Sequence, residues 1–347
     1  MIDWIDCLLP FTHAQPIAGG ALCHSDAEGN PTFTRLKFKE VRASHETGLM
    51  VVTYTGAQNS DDTYPFLKVS GNPVKLFQGH NLWGSNDLHG YVIELYHFLC
   101  KTFDVTPSVM DYQLVQQGAV RLLRVDINET FHLDGRSQCL AWIRSAENSA
   151  RMKYRGRGEM KGSTLYFAKN SEHWSTKIYC KGQEIRDTGI SKKQPAIFGL
   201  PQPQLWADRA LRIEHVLRIK WLKLQNLDLV ANWGDNMVSD VYRELFQKLE
   251  FAETMTIAPA ALDDLPGALR GAYALWKEGH DLREVYSRPT FYRYRTKLLE
   301  HGIDISIKQQ GKPDNVVPLV RILEAVPVGV PDWAEGTSLY FEPRKFA

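Results

Sequence analysis

The sequence predicts an α+β fold, in which an antiparallel sheet domain precedes a smaller helical domain. Segments with alternating apolar residues dominate the chain up to about residue 225, and helical segments fall among them without a regular βαβ period. Beyond Lys223 the apolar residues instead recur at intervals of three and four, which is the helical spacing. We therefore predict a sheet domain over residues 1–225 and a mainly helical domain over residues 226–347.

The predicted strands alternate apolar and polar residues and are bounded by turn-forming Gly, Asn, Asp, Ser and Pro. They are IDWIDCLLPF, TRLKFKEV, LMVVTYTG, AVRLLRVDINETFHL, TLYFA, STKIYCK and RALRIEHVLRIKW. Two helices are expected among them, DLHGYVIELYHFLCKTF and SQCLAWIRSAENSA, the first with its N-cap within Ser85 to Asp87. Prolines 195, 201 and 203 predict an irregular segment before the last strand.

Composition is that of an ordinary globular protein, with 44% hydrophobic and 23% charged residues, which disfavours disorder. No apolar run approaches the roughly 20 residues that span a bilayer, and the first residues do not resemble a signal peptide. The five cysteines are far apart and form no CxxC pair, so reduced thiols are expected. These features predict a cytoplasmic protein without a membrane partner.

Three predicted strands carry chemically active residues near their middles. Alternation places Lys177, Tyr179 and Lys181 on one face of STKIYCK. The same rule aligns Asp126 with Arg124 on one strand, and Glu214 with Arg212 on another. If the three strands are neighbours, a phenol and two carboxylates converge.

Such a group of residues is suited to phosphoryl transfer. Oxygen ligands favour a hard divalent ion, Mg²⁺ or Mn²⁺, at Asp126 and Glu214. A phenol is mostly protonated near neutral pH, and Lys181 is the expected cation to favour the phenolate of Tyr179. Two structural alternatives remain open: both carboxylates could form cross-strand salt bridges, with Arg124, Arg212 or Arg218 as the partners, and Tyr179 could be an ordinary strand residue.

Several long motifs resemble the replication initiators of filamentous phages, the gene II and gene X family, whose relatives include rolling-circle plasmid initiators. The motifs are MIDWIDCLLPF, SGNPVKLFQGHNLWGSNDL, LLRVDINETF and NVVPLVRILEAVPVGVPDW. The resemblance implies that Tyr179, in a YxK segment with Lys181 and with Glu184 also matching, forms a 5′-phosphotyrosyl bond with DNA. It also implies an HUH-like nuclease sheet, with Asp126 and Glu214 as metal ligands by analogy with the plasmid initiators.

One departure from the wider superfamily concerns its metal site. That superfamily usually binds metal through a His-hydrophobic-His pair and carries the tyrosine on a helix, whereas no His-x-His occurs in this chain. His132, six residues after Asp126, is a possible third ligand, although its position near a turn favours a surface or loop histidine. His80 and Asn81 of QGHN are expected to form a structured turn rather than part of the site.

The segment after residue 265 is predicted to form a helix, a short turn and a second helix, which is the pattern of a helix-turn-helix. Ser287 is the expected N-cap of the second helix, and Pro289 is tolerated in its first turn. We predict that this helix approaches a DNA major groove through its cations and hydrogen-bond donors. These are Arg288, Thr290, Tyr292, Arg293, Arg295 and Lys297. The basic segment YRGRGEMKG is a further candidate for phosphate contact, although a solvated hairpin would have the same pattern.

Together, the motifs and the active residues predict a rolling-circle initiator. It would nick the plus strand at a phage or plasmid origin through Tyr179 and later rejoin the displaced strand. Its partners would be double-stranded and displaced single-stranded origin DNA, a host helicase and polymerase, and other protomers at the origin. The alternative is a sequence-specific DNA-binding regulator without catalysis. A tyrosine recombinase is disfavoured because its chemistry uses clustered Arg and His without metal.

Overall fold

A computed structural model describes residues 1–43, 45, 48–54, 64–153, 155–189, 194–251, 265–299, 305–306 and 326–344. Fourteen strands are assigned among these residues. In chain order they are β1 Ile2–His13, β2 Ala21–Ser25, β3 Pro31–Leu36, β4 Lys39–Arg42, β5 Gly48–Thr53, β6 Tyr64–Gly71, β7 Arg121–His132, β8 Ala150–Met152, β9 Gly156–Arg157, β10 Glu159–Lys161, β11 Thr164–Phe167, β12 Trp174–Cys180, β13 Ala210–Arg218 and β14 Leu249–Phe251.

Nine of these strands form one sheet, in the order β10-β11-β12-β13-β7-β1-β6-β5-β4. Every neighbouring pair in this sheet is antiparallel. The order brings β12 beside β13 and β13 beside β7, although long stretches of chain separate β7 from β12. The predicted α+β class with a large antiparallel sheet is therefore confirmed.

Helices fall between the strands and after them. In chain order they are α1 Pro73–Gln78, α2 Leu88–Phe103, α3 Val109–Gln116, α4 Arg136–Ser149, α5 Lys181–Thr188, α6 Pro201–Arg209, α7 Ile219–Leu224, α8 Met237–Phe246, α9 Gly267–Lys277, α10 Leu282–Val285 and α11 Arg288–Leu299. Helix α2 begins where the sequence predicts, because the Asp87 side chain accepts a 2.7 Å hydrogen bond from the backbone N–H of Gly90. Within the described ranges, no helix combines the length and apolarity needed to cross a membrane.

The two faces of the sheet differ in character. On one face, residues such as Val125, Ile178 and Ile213 are fully buried and share one hydrophobic core with apolar residues of α2, α4 and α8. On the other face, the central strands carry charged and amide side chains. This division follows from strict alternation along each strand, since successive side chains point to opposite faces.

The segment with prolines 195, 201 and 203, which the sequence predicts to be irregular, forms two helices in the structure. Residues Pro195–Ile197 form a short 3₁₀ helix, and α6 begins at Pro201, with Pro203 buried in its first turn. Proline is tolerated in the first turn because the N–H groups there have no acceptor within the helix. The prolines therefore mark the start of a helix.

The predicted boundary after residue 225 falls inside the core of the sheet domain. Apolar residues of α8 and β14, Val241, Leu245 and Leu249 among them, belong to the same core as the central strands. Residues 326–344 also contact the sheet domain, and the backbone N–H of Val328 donates a 2.8 Å hydrogen bond to Thr130 O of β7. Helical periodicity indicates which residues form helices, but it does not indicate against which core they pack.

Helices α9, α10 and α11 form a separate small core. Leu269, Trp276, Leu282, Phe291 and Leu298 are buried in it. Among the described residues the short helix α10 lies between the two longer helices, and the predicted helix-turn-helix domain stays a prediction. The sequence also predicts that Gly302 ends the second helix, and Gly302 lies outside the described residues.

Candidate active site

The polar face of the central strands brings together the residues that the sequence singles out. In the β12–β13 ladder, Lys177 lies opposite Glu214 and Tyr179 lies opposite Arg212. In the β13–β7 ladder, Glu214 lies opposite Asn128, two residues beyond Asp126. Residues directly opposite each other share a face with Cβ atoms roughly 5 Å apart. The phenol and both carboxylates therefore occupy one surface.

Tyr179 is held by Glu214. Its hydroxyl donates a 3.0 Å hydrogen bond to Glu214 Oε2, while Lys177 Nζ lies 2.7 Å from Glu214 Oε1. Tyr179 is only 3% exposed and Glu214 is fully buried. Burial, and next the charge of Glu214, raise the pKa of Tyr179 well above its ordinary value of 10.0. The phenol is therefore protonated near neutral pH, and Glu214 is the carboxylate that accepts its hydrogen bond.

Lys177 completes this arrangement on the solvent side. Its side chain is 28% exposed, and its ammonium group also lies 5.6 Å from the centre of the Tyr179 ring. Burial opposes the charged form, but Glu214 and Asp126 hold the pKa of Lys177 above its ordinary value. Lys177 is thus a cation at the open edge of the site.

Asp126 is paired with Arg124 on the same strand. Arg124 donates two hydrogen bonds, from Nε to Asp126 Oδ1 at 2.7 Å and from an Nη atom to Oδ2 at 2.6 Å. Burial raises the pKa of Asp126 to about 7, with a contribution from the nearby Glu214 charge, although Arg124 acts in the opposite direction. Asp126 therefore forms a salt bridge within its own strand rather than across strands, and Glu214 forms a cross-strand salt bridge with Lys177 rather than with an arginine.

Lys181 is paired with a carboxylate of its own helix. It begins α5, is 1% exposed, and donates a 2.9 Å hydrogen bond to Glu184 Oε2 one helical turn later. Its ammonium group lies 5.9 Å from the centre of the Tyr179 ring. Burial lowers the pKa of Lys181, while Glu184 opposes that shift. Strand β12 ends at Cys180, so Lys181 belongs to helix α5. Alternation along the strand therefore does not predict the position of its side chain.

Arg212 links the sheet face to the loop after α1. It is fully buried and donates from Nη1 to Asn81 O at 2.7 Å, from Nη2 to Leu82 O, and from Nε to Thr130 Oγ1 at 3.2 Å. The three acceptors lie where the planar guanidinium group directs its N–H donors. Arg212 therefore attaches the loop after α1 to the polar face of the sheet.

The QGHN segment is the structured turn that the sequence predicts, and it supports the site from outside. Gly79 adopts a left-handed φ of 77° at the end of α1. The His80 ring contacts Leu339 O at 2.9 Å, so residues 326–344 cover this turn. The Asn81 side chain donates a 2.6 Å hydrogen bond to Asp3 Oδ1.

His132 does not join the two carboxylates. It ends β7 opposite Ala210, and its ring packs at 4.9 Å from the Trp206 ring. Burial lowers the pKa of His132 to about 4. Within the part of the chain that the structure describes, no cluster of three or more His, Cys, Asp and Glu side chains is placed to hold a metal ion. Any metal site here would rest on the two carboxylates and on neutral oxygens.

The predicted DNA-reading helix, α11, exposes most of its candidate residues. Arg288, Tyr292, Arg293 and Lys297 are exposed, whereas Thr290 and Arg295 are half-buried. Ser287 donates a 3.0 Å hydrogen bond from its hydroxyl to Thr290 Oγ1, and its carbonyl accepts from Phe291 N–H at 2.9 Å. The buried Phe291 and Leu298 fix the opposite side of the helix.

Asp3, Asn81, Asn128 and Lys177 contribute to the site but were given no role from the sequence. Alternation places Lys177 on the face of Tyr179, and the even spacing of Asn128 from Asp126 places it on the face of that carboxylate. Asp3 and Asn81 reach the site only through the packing of β1 and the loop after α1, which local spacing does not encode.

A mixed fold of this kind, with a phenol, carboxylates and cations on one sheet face, is compatible with phosphoryl-transfer proteins. Comparison with known proteins gives the family. A family model for the N-terminal part of the phage replication-associated protein, the gene II protein, matches residues 1–236, and a model for the C-terminal part of the same protein matches residues 259–340. The chain belongs to this family of replication-associated proteins, which confirms the resemblance drawn from the motifs.

Two phage relatives agree with this assignment. The chain is 33% identical to the replication-associated protein of Enterobacteria phage I2-2 over 95% of each chain. It is 24% identical to that of Enterobacteria phage M13 over 84% of this chain and 81% of the relative. A solved rolling circle replication initiator protein from Geobacillus stearothermophilus aligns with 14% identity and a TM-score of 0.30, covering 75% of this chain and 88% of that chain.

Proposed function

We propose that this chain is a rolling-circle replication initiator that nicks the plus strand at a phage or plasmid origin. Tyr179 attacks the phosphodiester, a bond forms between its phenolic oxygen and phosphorus, and the bond from phosphorus to the 3′ oxygen breaks. The products are a 5′-phosphotyrosyl DNA end and a free 3′ end. The observation that carries the proposal is the 3.0 Å hydrogen bond from the Tyr179 hydroxyl to Glu214 Oε2.

Glu214 takes the phenolic proton in this proposal. A carboxylate within hydrogen-bond distance satisfies the geometric requirement for a general base. Lys177, held at the other carboxylate oxygen and partly exposed, is placed to contact the scissile phosphate. Lys181, near the Tyr179 ring, and Arg212 add positive charge around the phenol as it becomes anionic. Proton release from Tyr179 therefore does not require the bulk solvent.

Asp126 and Glu214 would hold the Mg²⁺ or Mn²⁺ ion. The fit rests on their shared face and on a buried carboxamide beside them, Asn128, whose side-chain atoms have no hydrogen-bond partner among the described residues. When bound, a divalent ion polarises the phosphate and offsets the charge that develops in the transition state. Arg124 and Lys177, which now pair with these carboxylates, would then be available for phosphate.

The remaining parts of the proposal concern DNA. Arg288, Thr290, Tyr292, Arg293, Arg295 and Lys297 of α11 bind the origin duplex, and reversal of the tyrosyl transfer closes the displaced strand. The reversal requires no ATP, because one ester is exchanged for another. We place this activity in the host cytoplasm, with a host helicase and polymerase extending the nicked strand and further protomers at the origin.

The test is incubation of the full-length protein with a supercoiled plasmid carrying the origin of its own replicon, in Mn²⁺ or Mg²⁺. Wild type should give nicked circles covalently linked to protein, and Tyr179→Phe should give none. Tyr166→Phe is the matched control, since Tyr166 lies opposite Lys177 on the neighbouring strand β11. If wild type and Tyr179→Phe cut equally, the proposal fails. If neither cuts but both bind the origin, the chain acts as a DNA-binding regulator.

A further inference from the structure

Asn128 is a buried polar side chain without a partner. It lies on β7, is 1% exposed, and neither Oδ1 nor Nδ2 forms a hydrogen bond within the described part of the chain. Most buried polar side chains are hydrogen-bonded, and leaving one unsatisfied destabilises the fold. An amide without hydrogen bonds at the centre of a sheet indicates that a bound ligand interacts with its polar atoms.

The position of Asn128 identifies the kind of ligand. Asn128 is directly opposite Glu214 and two residues beyond Asp126, on the same sheet face. The neighbouring oxygens are already engaged: Asp126 by Arg124, Glu214 by Tyr179 and Lys177, and Thr130 Oγ1 by Arg212. Among these four oxygen-bearing side chains, as the described residues show them, Asn128 is the member with both polar atoms unpaired.

We propose that Asn128 Oδ1 is a third protein ligand of the divalent cation that Asp126 and Glu214 would hold, an inference that rests on the proposed function. Amide oxygens are ordinary ligands of hard divalent ions. A neutral ligand also adds coordination without a third negative charge on a buried face that already carries two carboxylates. This composition accounts for a metal site in a chain that lacks the His-x-His pair.

A bound water is the alternative explanation for the unpaired amide of Asn128. Asn128 borders a small cavity of about 100 Å³, whose lining also includes Met1, Trp83 and Asn86. A bound water there could satisfy the amide without any metal. Asn86 borders the same cavity and its Oδ1 also has no partner among the described groups, but it lies in the loop before α2 rather than on the sheet face. Asn86 is therefore a matched control.

The experiment measures Mn²⁺ binding to metal-free, full-length protein without DNA, from the electron paramagnetic resonance signal of free Mn²⁺. Asn128→Leu should weaken binding by about tenfold or more, on the scale that loss of a metal-site partner produces. Asn128→Asp should retain or tighten binding, and Asn86→Leu should bind as wild type. Thermal unfolding of metal-free Asn128→Leu should match or exceed that of wild type, since the change removes an unpaired buried amide.

Unchanged Mn²⁺ affinity in Asn128→Leu, or no Mn²⁺ binding by wild type, would overturn the inference. Loss of thermal stability in Asn128→Leu with unchanged affinity would assign the amide to a structural water. If Asn128→Leu does not fold, weaker Mn²⁺ binding by Asn128→Asp would overturn the inference instead. Failure of wild type to nick origin DNA, with Mn²⁺ affinity still dependent on Asn128, would contradict the proposed function and leave the ligand assignment standing.

Discussion

The Tyr179 hydroxyl donates a 3.0 Å hydrogen bond to Glu214 Oε2 across two neighbouring strands, and both side chains are buried. The carboxylate thus stands where the phenolic proton must go if Tyr179 attacks a phosphate. Lys177 holds the other carboxylate oxygen at 2.7 Å, which orients Glu214 toward the tyrosine. This relationship makes Glu214 the residue on which the proposed chemistry depends most directly.

Glu214→Gln should lower the rate of nicking by about 100-fold or more, the usual range for loss of a general base. Glutamine can still accept a hydrogen bond from Tyr179 but does not take up its proton. Single-turnover nicking of origin plasmid measures the rate, and fluorescence anisotropy measures DNA affinity, which should not change. Glu172→Gln, an exposed carboxylate paired with Lys220, serves as the control. Equal rates for Glu214→Gln and wild type would remove Glu214 from proton transfer.

Asp126 should make nicking depend on pH. The pKa of Asp126 is raised to about 7 by burial and by Glu214, so the carboxylate becomes protonated as the pH falls below that value. A protonated carboxyl is a poor metal ligand, and wild-type nicking at limiting Mn²⁺ should therefore decline as the pH is lowered through about 7. Asp126→Asn should nick at least about tenfold more slowly above that pH, while it still binds origin DNA. Wild-type rates that stay constant over this range would contradict the assignment.

Buried histidines should make the fold sensitive to acid. Burial lowers the pKa of His215 and of His80 to about 3. The unfolded chain therefore binds more protons than the folded chain between about pH 6.5 and pH 3, and the free energy of unfolding falls as the pH is lowered. Each histidine contributes up to about 2.7 kcal/mol between about pH 6.5 and 4.5, at about 1.36 kcal/mol per pH unit.

Denaturant unfolding at about pH 6.5 and about pH 4.5 tests this expectation. His215→Leu should show a smaller loss of stability between the two values, because leucine takes up no proton in the unfolded chain. The change removes the 2.8 Å contact with Thr176 and the ring contact with Tyr242, whereas His215 Nε2 has no partner among the described groups. His280→Gln, at an exposed position, should show the same loss as wild type. An acid dependence in His215→Leu identical to that of wild type would be inconsistent with a neutral buried histidine.

Arg293→Ala should weaken origin binding and reduce its dependence on salt. Arg293 is exposed on α11, and each phosphate contact contributes about 0.9 to the slope of log affinity against log salt concentration. Anisotropy titrations from low to physiological salt measure the slope. Lys277→Ala, at the exposed end of α9, is the control and should leave the slope unchanged. An unaltered slope for Arg293→Ala would exclude a phosphate contact.

Trp333→Ala should destabilise the sheet domain, although residue 333 follows the helical unit in the chain. The Trp333 ring packs edge-on at 5.2 Å against Trp83, in a cluster that includes Trp206 of α6. We expect a loss of about 2–3 kcal/mol, below the usual range for a fully buried tryptophan because Trp333 is only partly buried. Chemical denaturation followed by far-ultraviolet circular dichroism measures it. Val326→Ala, at a position 85% exposed, should not change the stability.

Local patterns in the sequence predicted the strands that carry the site and the longer helices, but not β6, α1, α3 or the short strands β8, β9, β10 and β14. Alternation predicted β7, β12 and β13, and the same rule placed Tyr179 with Lys177, and Arg212 with Glu214, on the correct faces. Three-and-four spacing predicted α2, α4, α8, α9 and α11. These patterns succeed because a strand repeats every two residues and a helix every 3.6, whatever the rest of the chain does. The motifs also carried the family assignment.

Only the tertiary structure decided which of these elements meet. Antiparallel pairing of β12, β13 and β7 brings Tyr179 to Glu214, and it leaves Asn128 on the same face as the two carboxylates, without a partner among the described residues. The return of residues 326–344 to the turn at His80, and the inclusion of α8 in the sheet core, likewise depend on long-range packing. No local pattern encodes these contacts, because the order of strands in a sheet and the docking of a distant segment are determined by the burial of whole surfaces rather than by spacing along the chain.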